Sequence, residues 1–270
     1  FVILVAMSPQ LLIDTHCHIH EHEYFTENRE DVYEQSRTAG VAMICVGTSV
    51  QSSREALEFC RSHEECYPVL GIHPHEAKGE DVAQIRKLVE KYRSEIVGIG
   101  EIGLDYYYSH SPRDSQLHML RAQLQIAKEY DLPVSFHIRD ALPENSESSV
   151  WADFWPLLDE FPGTRGVLHS FTDTYENYLE AKKRGLYIGV NGISTFTKDE
   201  SQQKFFTEVP LDDIVLETDA PFLTPKPFRG TMNIPAYVGR VAEHQAMLKN
   251  VSPTDVIRAT TANAKSIFGI

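Results

Sequence analysis

The sequence has no paired-cysteine motif and no apolar run long enough to cross a membrane. Its four cysteines, Cys17, Cys45, Cys60 and Cys66, form no C-x-x-C pair, which argues against a zinc ribbon or a thioredoxin-type centre. We therefore expect reduced thiols in a cytoplasmic protein. The apolar stretch FVILVAM is far shorter than the roughly 20 residues that span a bilayer and has no basic flank, so neither a membrane anchor nor a signal peptide is predicted. We expect residues 1–8 to be a flexible or foreign extension.

The chain also lacks an excess of basic residues, because its formal net charge is −14 over 270 residues. Nucleic-acid binding through a general basic face is therefore disfavoured. Any substrate that carries phosphate has to be attracted by a local positive site. The sequence indicates no protein partner.

Short apolar runs, most of them rich in Val and Ile, recur along the chain and are bounded by Gly, Pro or polar residues, as expected of buried parallel strands. The eight runs are Leu11–Ile13, Val41–Gly47, Tyr67–Ile72, Ile96–Ile102, Pro133–Ile138, Gly166–His169, Leu186–Val190 and Ile214–Glu217. Most are separated by stretches with helical spacing of apolar residues. These stretches are Arg29–Ala39, Ser52–Ser62, Asp81–Tyr92, Ser115–Tyr130, Tyr175–Arg184, Pro235–Leu248 and Ser252–Phe268.

This alternation predicts an α/β fold, a single (β/α)₈ TIM barrel that occupies residues 1–270 as one domain. A doubly wound open sheet is the competing layout. It is disfavoured because no G-x-G-x-x-G motif follows the first run.

The polar and acidic segment 141–153, ALPENSESSVWAD, follows the fifth predicted strand. One interpretation is an exposed surface loop. The alternative is a flap over the active face, because the loops after the strands build that face of a barrel.

Histidines and carboxylates follow the predicted strands. The motif Asp14-Thr15-His16-Cys17-His18 comes directly after the first run, and residues two apart on a strand face the same side. Five further runs end in metal-ligating residue types, at His73, Glu101, His137, His169 and Asp219. Such groups are costly in apolar surroundings unless they are paired or bound to metal. The sequence therefore predicts a metal centre at the mouth of the barrel where barrel enzymes work.

The residue types at this mouth suggest roles. Glu101 has two oxygens with which to bridge two cations, and Asp219 is the candidate base for a water molecule. Two cations about 3.5–4 Å apart clamp the attacking and leaving oxygens of a displacement, and a cation lowers the pKa of water toward about 7. Neutral histidines, two carboxylates and two divalent cations leave a pocket charge of about +2. Arg139 adds a further positive charge, so an anionic phosphodiester is attracted locally.

Several longer motifs occur in a fixed order between about Leu11 and Phe268. They are DTHCHIH, VLGIHPH, GIGEIGLDYYY, QLQIAKEYDLPVSFHIR, GVLHSF and VLETDAPFLTP. In these motifs the chain resembles the TatD family of metal-dependent deoxyribonucleases, a branch of the amidohydrolase-like barrels. The resemblance implies a TIM-type barrel, a divalent-metal requirement and 3′→5′ exonuclease action on DNA. It implies metal ligands at His16, His18, Glu101, His137, His169 and Asp219.

The resemblance also covers residues beside the ligands. His73 matches a family histidine, for which we expect contact with substrate phosphate or proton transfer, with a structural hydrogen bond as the alternative. Arg139 matches an arginine for which substrate binding or a supporting ion pair is expected. Lys226 and Arg229 lie in a loop that resembles the family's loop after the eighth strand, where they either meet a phosphate backbone or are solvated. The segment 141–153 is longer than the family's usual loop.

We expect two divalent ions, and the mixed ligands allow Mg, Mn, Zn or Ni. The same chemistry serves hydrolysis of an amide, a lactone or an ester such as that of an aminoacyl-tRNA, and this alternative stays open beside DNA. A non-catalytic scaffold barrel predicts broken ligand motifs, whereas all six ligand positions here carry competent residues.

Overall fold

The computed structural model describes residues 11–108, 110–141 and 149–270. Within these ranges, eight parallel strands pair in the order β1 to β8. They are β1 (Leu12–Cys17), β2 (Val41–Val46), β3 (Cys66–Leu70), β4 (Gly98–Asp105), β5 (Val134–Arg139), β6 (Gly166–Leu168), β7 (Leu186–Val190) and β8 (Ile214–Leu216). Each coincides with a predicted apolar run, so the predicted TIM barrel is confirmed. Residues 1–8 lie outside the described ranges.

Helices alternate with the strands and cover the outside of the barrel. They are α1 (Arg29–Thr38), α2 (Val50–Ser62), α3 (Val82–Tyr92), α4 (Arg113–Glu129), α5 (Val150–Asp159), α6 (Tyr175–Lys183), α7 (Glu200–Glu208), α8 (Val238–Lys249) and α9 (Pro253–Phe268). The Ser252 side chain caps α9 by accepting a hydrogen bond from the backbone N–H of Asp255. In the described part of the chain, no helix combines the length and the hydrophobicity that a membrane crossing requires.

The last residues of the acidic segment 141–153 are helical, which the surface-loop interpretation does not predict. Helix α5 begins at Val150, and Ser149 caps it by accepting a hydrogen bond from the backbone N–H of Trp151. Val150 and Trp151 are buried, so the loop interpretation is wrong for the end of this segment. Residues 142–148 are outside the described ranges, and the flap interpretation stays a prediction there.

The periodicity of the sequence does not predict α7. Within this helix, the large apolar residues are Phe205 and Phe206, which are adjacent and therefore give no helical spacing. Both are buried against the barrel, and Asp199 caps the helix by accepting hydrogen bonds from two backbone N–H groups. Tertiary packing and the cap therefore define this helix.

Two strands carry a bulge. The register of β1 against β2 shifts within residues 14–17, and the register of β4 against β5 shifts within residues 99–102. In both places the bulged strand has one residue more than its partner, which redirects a side chain. The bulges contain His16 and Glu101, so the irregular positions of the sheet are two predicted metal ligands.

The barrel closes between β1 and the residues after β8, through a parallel bridge between Cys17 and Ala220. The end of α9 fills the interior at the amino-terminal end of the strands. The apolar cluster there comprises Ile13, Ala42, Ile44, Val46, Val69, Val167, Val215, Ala264, Ile267 and Phe268. The histidines and carboxylates of the predicted metal centre lie at the opposite end, where the strands end.

Candidate metal centre

The carboxyl ends of the strands open into a cavity of 670 Å³. The buried Glu101 carboxylate lies beside it, within 4.0 Å of ring nitrogens from five histidines. The distances are 2.8 Å to His137 Nδ1, 3.4 Å to His16 Nε2, 3.5 Å to His73 Nε2, 3.9 Å to His18 Nε2 and 4.0 Å to His169 Nε2. Asp219 Oδ1 adds a second carboxylate, 3.4 Å from His18 Nε2. The structure thus brings all six predicted ligands together.

Asp219 reaches this cluster through a left-handed backbone conformation with φ of 58°. Its backbone N–H donates to the carbonyl of His16 at 2.8 Å, so closure of the barrel holds it in place. The buried Asp14 carboxylate supports the same junction, because it accepts hydrogen bonds from the Thr218 backbone N–H at 2.8 Å and hydroxyl at 2.5 Å. The left-handed conformation of Asp219 costs about 1–3 kcal/mol and persists only where the surrounding contacts enforce it.

The potential ligand atoms form three groups, and within each group they lie within 4.8 Å of one another. The groups are His16, His18 and Glu101; His16, His169 and Asp219; and His73, Glu101 and His137. His169 stacks on His16 with ring centroids 3.5 Å apart, whereas its ring lies 6.5 Å from that of His137. His169, which follows β6, therefore lies against His16 and also lies 4.0 Å from Glu101 Oε1.

The ring nitrogens of His18 and His16 fit a metal ion. His18 Nδ1 lies 2.8 Å from the Val46 carbonyl, which only accepts, so this nitrogen carries the proton and leaves the Nε2 lone pair for a ligand. His16 Nδ1 contacts the Ser135 hydroxyl at 3.1 Å. His16 Nε2 is buried and has no hydrogen-bond partner among the described residues. Since an unpartnered buried nitrogen is costly, the donor set fits a cation at this point.

The charges of these histidine and carboxylate side chains also favour a bound cation. Burial opposes protonation of His18 and His169, yet Asp219 raises the pKa of His18 to about 9, and Glu217 with Asp219 raises that of His169 to about 10. Burial also opposes ionisation of Glu101, yet the surrounding histidines hold its pKa well below the usual value. The carboxylates therefore favour positive charge among the imidazoles. A bound cation supplies such charge and releases the protons.

Glu217 was not assigned to the site by sequence reasoning. It is fully buried, and its Oε1 lies 3.0 Å from His169 Nδ1 and accepts a hydrogen bond from the Ser170 backbone N–H at 2.6 Å. A Cβ atom at Gly189 would collide with this carboxylate, so the glycine on β7 makes the space for it. A carboxylate directly after an apolar run, two residues before Asp219, is the signal that could have identified it.

Asp105, at the end of β4, was also not assigned. Its Oδ2 lies 2.9 Å from Nε2 of both His137 and His75, and its Oδ1 accepts backbone N–H groups of Tyr107 and Tyr108 at 2.9 Å. A carboxylate against the second nitrogen of a ligand histidine fixes the orientation of the ring. Asp105 therefore holds His137 toward Glu101 and ties the next loop to the same point.

The tautomer of His73 follows from its partners. Its Nδ1 accepts a hydrogen bond from the backbone N–H of His75 at 3.2 Å, so in the neutral ring the proton sits on Nε2. This nitrogen is the one that faces Glu101. Burial lowers the pKa of His73 well below the usual value, which keeps the ring neutral. His73 thus presents an N–H group to the cavity.

The basic side chains that are predicted to bind substrate lie in different surroundings. Arg139 lines the cavity, and its guanidinium lies 4.1 Å above the ring of Tyr107. Lys226 and Arg229 are exposed and do not line this cavity as far as the chain is described. The Arg229 guanidinium lies 3.9 Å above the Phe196 ring. A substrate contact of either residue stays a prediction.

Several known proteins are similar to this chain in sequence and in fold. The sequence model of the family described as "TatD related DNase" matches residues 13–269. A Bacillus subtilis protein named "Uncharacterized metal-dependent hydrolase YabD" is 35% identical, and the match covers 96% of this chain and 100% of that protein. A Cronobacter sakazakii protein named "3'-5' ssDNA/RNA exonuclease TatD" is 33% identical, over 90% of this chain and 93% of its own length. The crystal structure of YJJV, a TatD homolog from Escherichia coli, matches with a TM-score of 0.87 at 26% identity, over 97% of this chain and 100% of that one.

Proposed function

This chain belongs to the family of TatD-related deoxyribonucleases, which makes it a metal-dependent hydrolase, and from that premise we propose that it removes nucleotides from the 3′ end of DNA. The observation that carries the proposal is the convergence of the six proposed ligands at one cavity, which all of them except the buried His16 line. The relative named as a 3'-5' exonuclease, at 33% identity over nearly its whole length, supports the same class of substrate.

We assign the ligands to two divalent cations, Mg, Mn, Zn or Ni. His16, His18 and Asp219 would hold one and His137 the other, and Glu101 is within reach of both groups. His169 would contribute from between them, because its Nε2 lies 4.0 Å from Glu101 Oε1 and 3.8 Å from Asp219 Oδ1. When bound, such cations supply an activated water molecule and neutralise charge that develops on the phosphate.

The chain's own residues have separate tasks around the phosphate. Asp219, which is partly exposed to the cavity, accepts the proton of the attacking water. The neutral His73 ring donates a hydrogen bond from its Nε2–H group to a phosphate oxygen, and no proton is transferred. Arg139 attracts the phosphate at the cavity edge, which explains how a chain of net charge −14 takes an anionic substrate.

A product analysis tests this proposal. Single-stranded DNA labelled at its 5′ end is incubated with protein that has been stripped of metal and reloaded with Mg²⁺ or Mn²⁺. We expect a ladder that shortens one nucleotide at a time, no reaction in EDTA, and no reaction with Asp219→Asn. Intact DNA in the presence of metal-loaded protein would refute the nuclease proposal. Turnover of amide, lactone or ester substrates by that same protein would support the alternative.

A further inference from the structure

The cavity beside the metal centre has an apolar wall that the hydrolytic roles above do not use. Tyr24, Ile193, Phe222 and Leu223 line it, and 45% of the Phe222 surface is exposed. The wall is built by the segments after β7, β8 and β1, so it lies across the barrel from β4 and β5, which bring Asp105 and Arg139. A large apolar ring that is exposed in a polar mouth offers a surface for a flat apolar partner.

The chain holds Phe222 in a fixed position. The Phe222 backbone N–H donates to the Asp219 carbonyl at 2.7 Å, and its carbonyl accepts a hydrogen bond from the Asn233 side chain at 2.6 Å. Asn233 is fully buried. The Tyr24 ring supports Phe222 edge to face, with centroids 5.2 Å apart and planes at 77°. The backbone of Phe222 is therefore preorganised by hydrogen bonds, and its ring by contact with a second aromatic ring.

Phe222 also lies close to the reacting centre. Its ring centroid is 6.5 Å from that of His18, a proposed metal ligand, and only two residues separate it from Asp219. A nucleotide whose phosphate is held at the metal centre extends its base over a comparable distance.

The faces of the other exposed aromatic rings at the mouth are already covered. The Arg139 guanidinium lies 4.1 Å from the centroid of Tyr107 and 4.9 Å from that of Tyr108. Tyr108 also stacks on His110 with centroids 5.6 Å apart and planes at 26°. Phe222, in contrast, meets Tyr24 and His18 at steep interplanar angles of 77° and 64° and is stacked on neither, so it is the better stacking surface.

We propose that Phe222, supported by Tyr24, is the platform on which the base of the 3′-terminal nucleotide stacks while its phosphate lies at the metal centre. The proposal rests on the nuclease function above and adds to it a base-binding site. Stacking on an aromatic ring accepts every base, because each base has a π face, so the platform favours an unpaired end without sequence preference.

The experiment compares two oligonucleotides that differ only in the 3′-terminal residue, which is either a normal nucleotide or an abasic tetrahydrofuran analogue. Wild-type protein loaded with Mn²⁺ should favour the normal end by about 10-fold in kcat/KM. Phe222→Ala should lose this preference, mainly through a higher KM for the normal end, with little change on the abasic end. Phe222→Trp should retain it.

Tyr175→Ala is the matched control, because Tyr175 is 42% exposed on α6 and does not line the cavity. It should keep the wild-type preference, and every variant should bind the wild-type amount of Mn²⁺. Equal loss on both ends in Phe222→Ala, an unchanged preference, or a preference that depends on the penultimate base would each overturn the platform while leaving the nuclease intact. Failure of wild-type protein to cleave either oligonucleotide would overturn the nuclease function, and the platform with it.

Discussion

At the amino-terminal end of the barrel the interior holds aliphatic side chains, whereas at the carboxyl end it holds histidines and carboxylates. Ile13 and His16 show the contrast within a single strand, because the first packs in the apolar cluster and the second faces Glu101. The amino-terminal end gains stability from apolar burial, at about 25 cal/mol per Å². Folding of the carboxyl end removes ionisable groups from water, which is unfavourable unless partner groups compensate their charge.

Backbone geometry follows this division in part. The bulges at His16 and Glu101 and the left-handed residues Ser170 and Asp219 accompany the polar site, whereas the left-handed residues Glu65 and Asp131 lie in the turns before β3 and β5, at the other end. Irregular backbone of this kind re-aims side chains and costs stability, and it concentrates where function requires it. The comparison suggests that the apolar end provides the stability on which the strained end depends.

The largest effect is expected when the polar end loses its central charge. Glu101→Gln keeps the shape but removes the carboxylate that five histidine rings approach. Since loss of an outer partner of a metal ligand already costs about 10–100-fold, we expect this change to lower kcat by more than about 100-fold and to abolish binding of at least one ion. Steady-state kinetics and metal analysis measure this. The control is Glu160→Gln on the exposed surface, and a Glu101→Gln protein as active as the control would contradict the assignment.

A cavity created at the apolar end should lower the stability of the protein and leave its activity nearly unchanged. Ile44 is fully buried on β2, and Ile44→Ala should lower the free energy of unfolding by about 2–5 kcal/mol. For a chain of this size that corresponds to a fall in Tm of about 10 °C. We expect kcat at 25 °C to stay within about twofold of wild type, since no ligand lies on β2. Leu179→Ala, at a residue that is 48% exposed, serves as the control. Loss of activity in parallel with stability would show that the two ends are not separable.

The strands and the positions of the six proposed ligands could be predicted from the sequence, whereas helix α7 and the carboxylates behind the histidines could not. Every strand was visible because a buried parallel strand is a run of apolar residues, and α9 was visible through its cap at Ser252 and its spacing. Helix α7 was invisible, since its two phenylalanines are adjacent and its other residues are mostly polar. Local periodicity does not report what packs against a short helix.

At the polar end, the convergence of the six proposed ligands could be predicted because each lies within an apolar run or shortly after one. Glu217 and Asp105 have the same placement, yet what distinguishes them is the nitrogen that each faces, on His169 and His137. The bulge at Glu101 depends on pairing with β5, far along the chain. Contacts between distant segments therefore decide which carboxylate lies among the proposed ligands and which one faces the second nitrogen of a histidine.

A smaller effect should follow when an orienting carboxylate is changed and the ligands stay. Glu217→Gln removes the charge that faces His169 Nδ1, so we expect the affinity for Mn²⁺ to fall by about 10–100-fold. Titration calorimetry on metal-free protein measures the change. Gly189→Ala should weaken metal binding in the same direction, because its Cβ displaces the same carboxylate from the side of β7. Wild-type affinity in both variants would show that Glu217 has only a structural role.

The smallest effects are expected just outside the mouth, where the polar end meets solvent. Lys226 is exposed, and if its ammonium meets a phosphate of a long substrate, Lys226→Ala should reduce the dependence of log KM on log salt by about 0.7, the value for one contact with a single strand. Arg229 donates to the Thr224 carbonyl at 3.0 Å and covers the Phe196 ring, so its charge is already engaged. Arg229→Ala should therefore change this slope less, while kcat stays unchanged in both variants. Measuring KM between low and physiological salt on a long and a short oligonucleotide separates the two. An equal slope for wild type and Lys226→Ala on the long substrate would confine substrate recognition to the cavity itself.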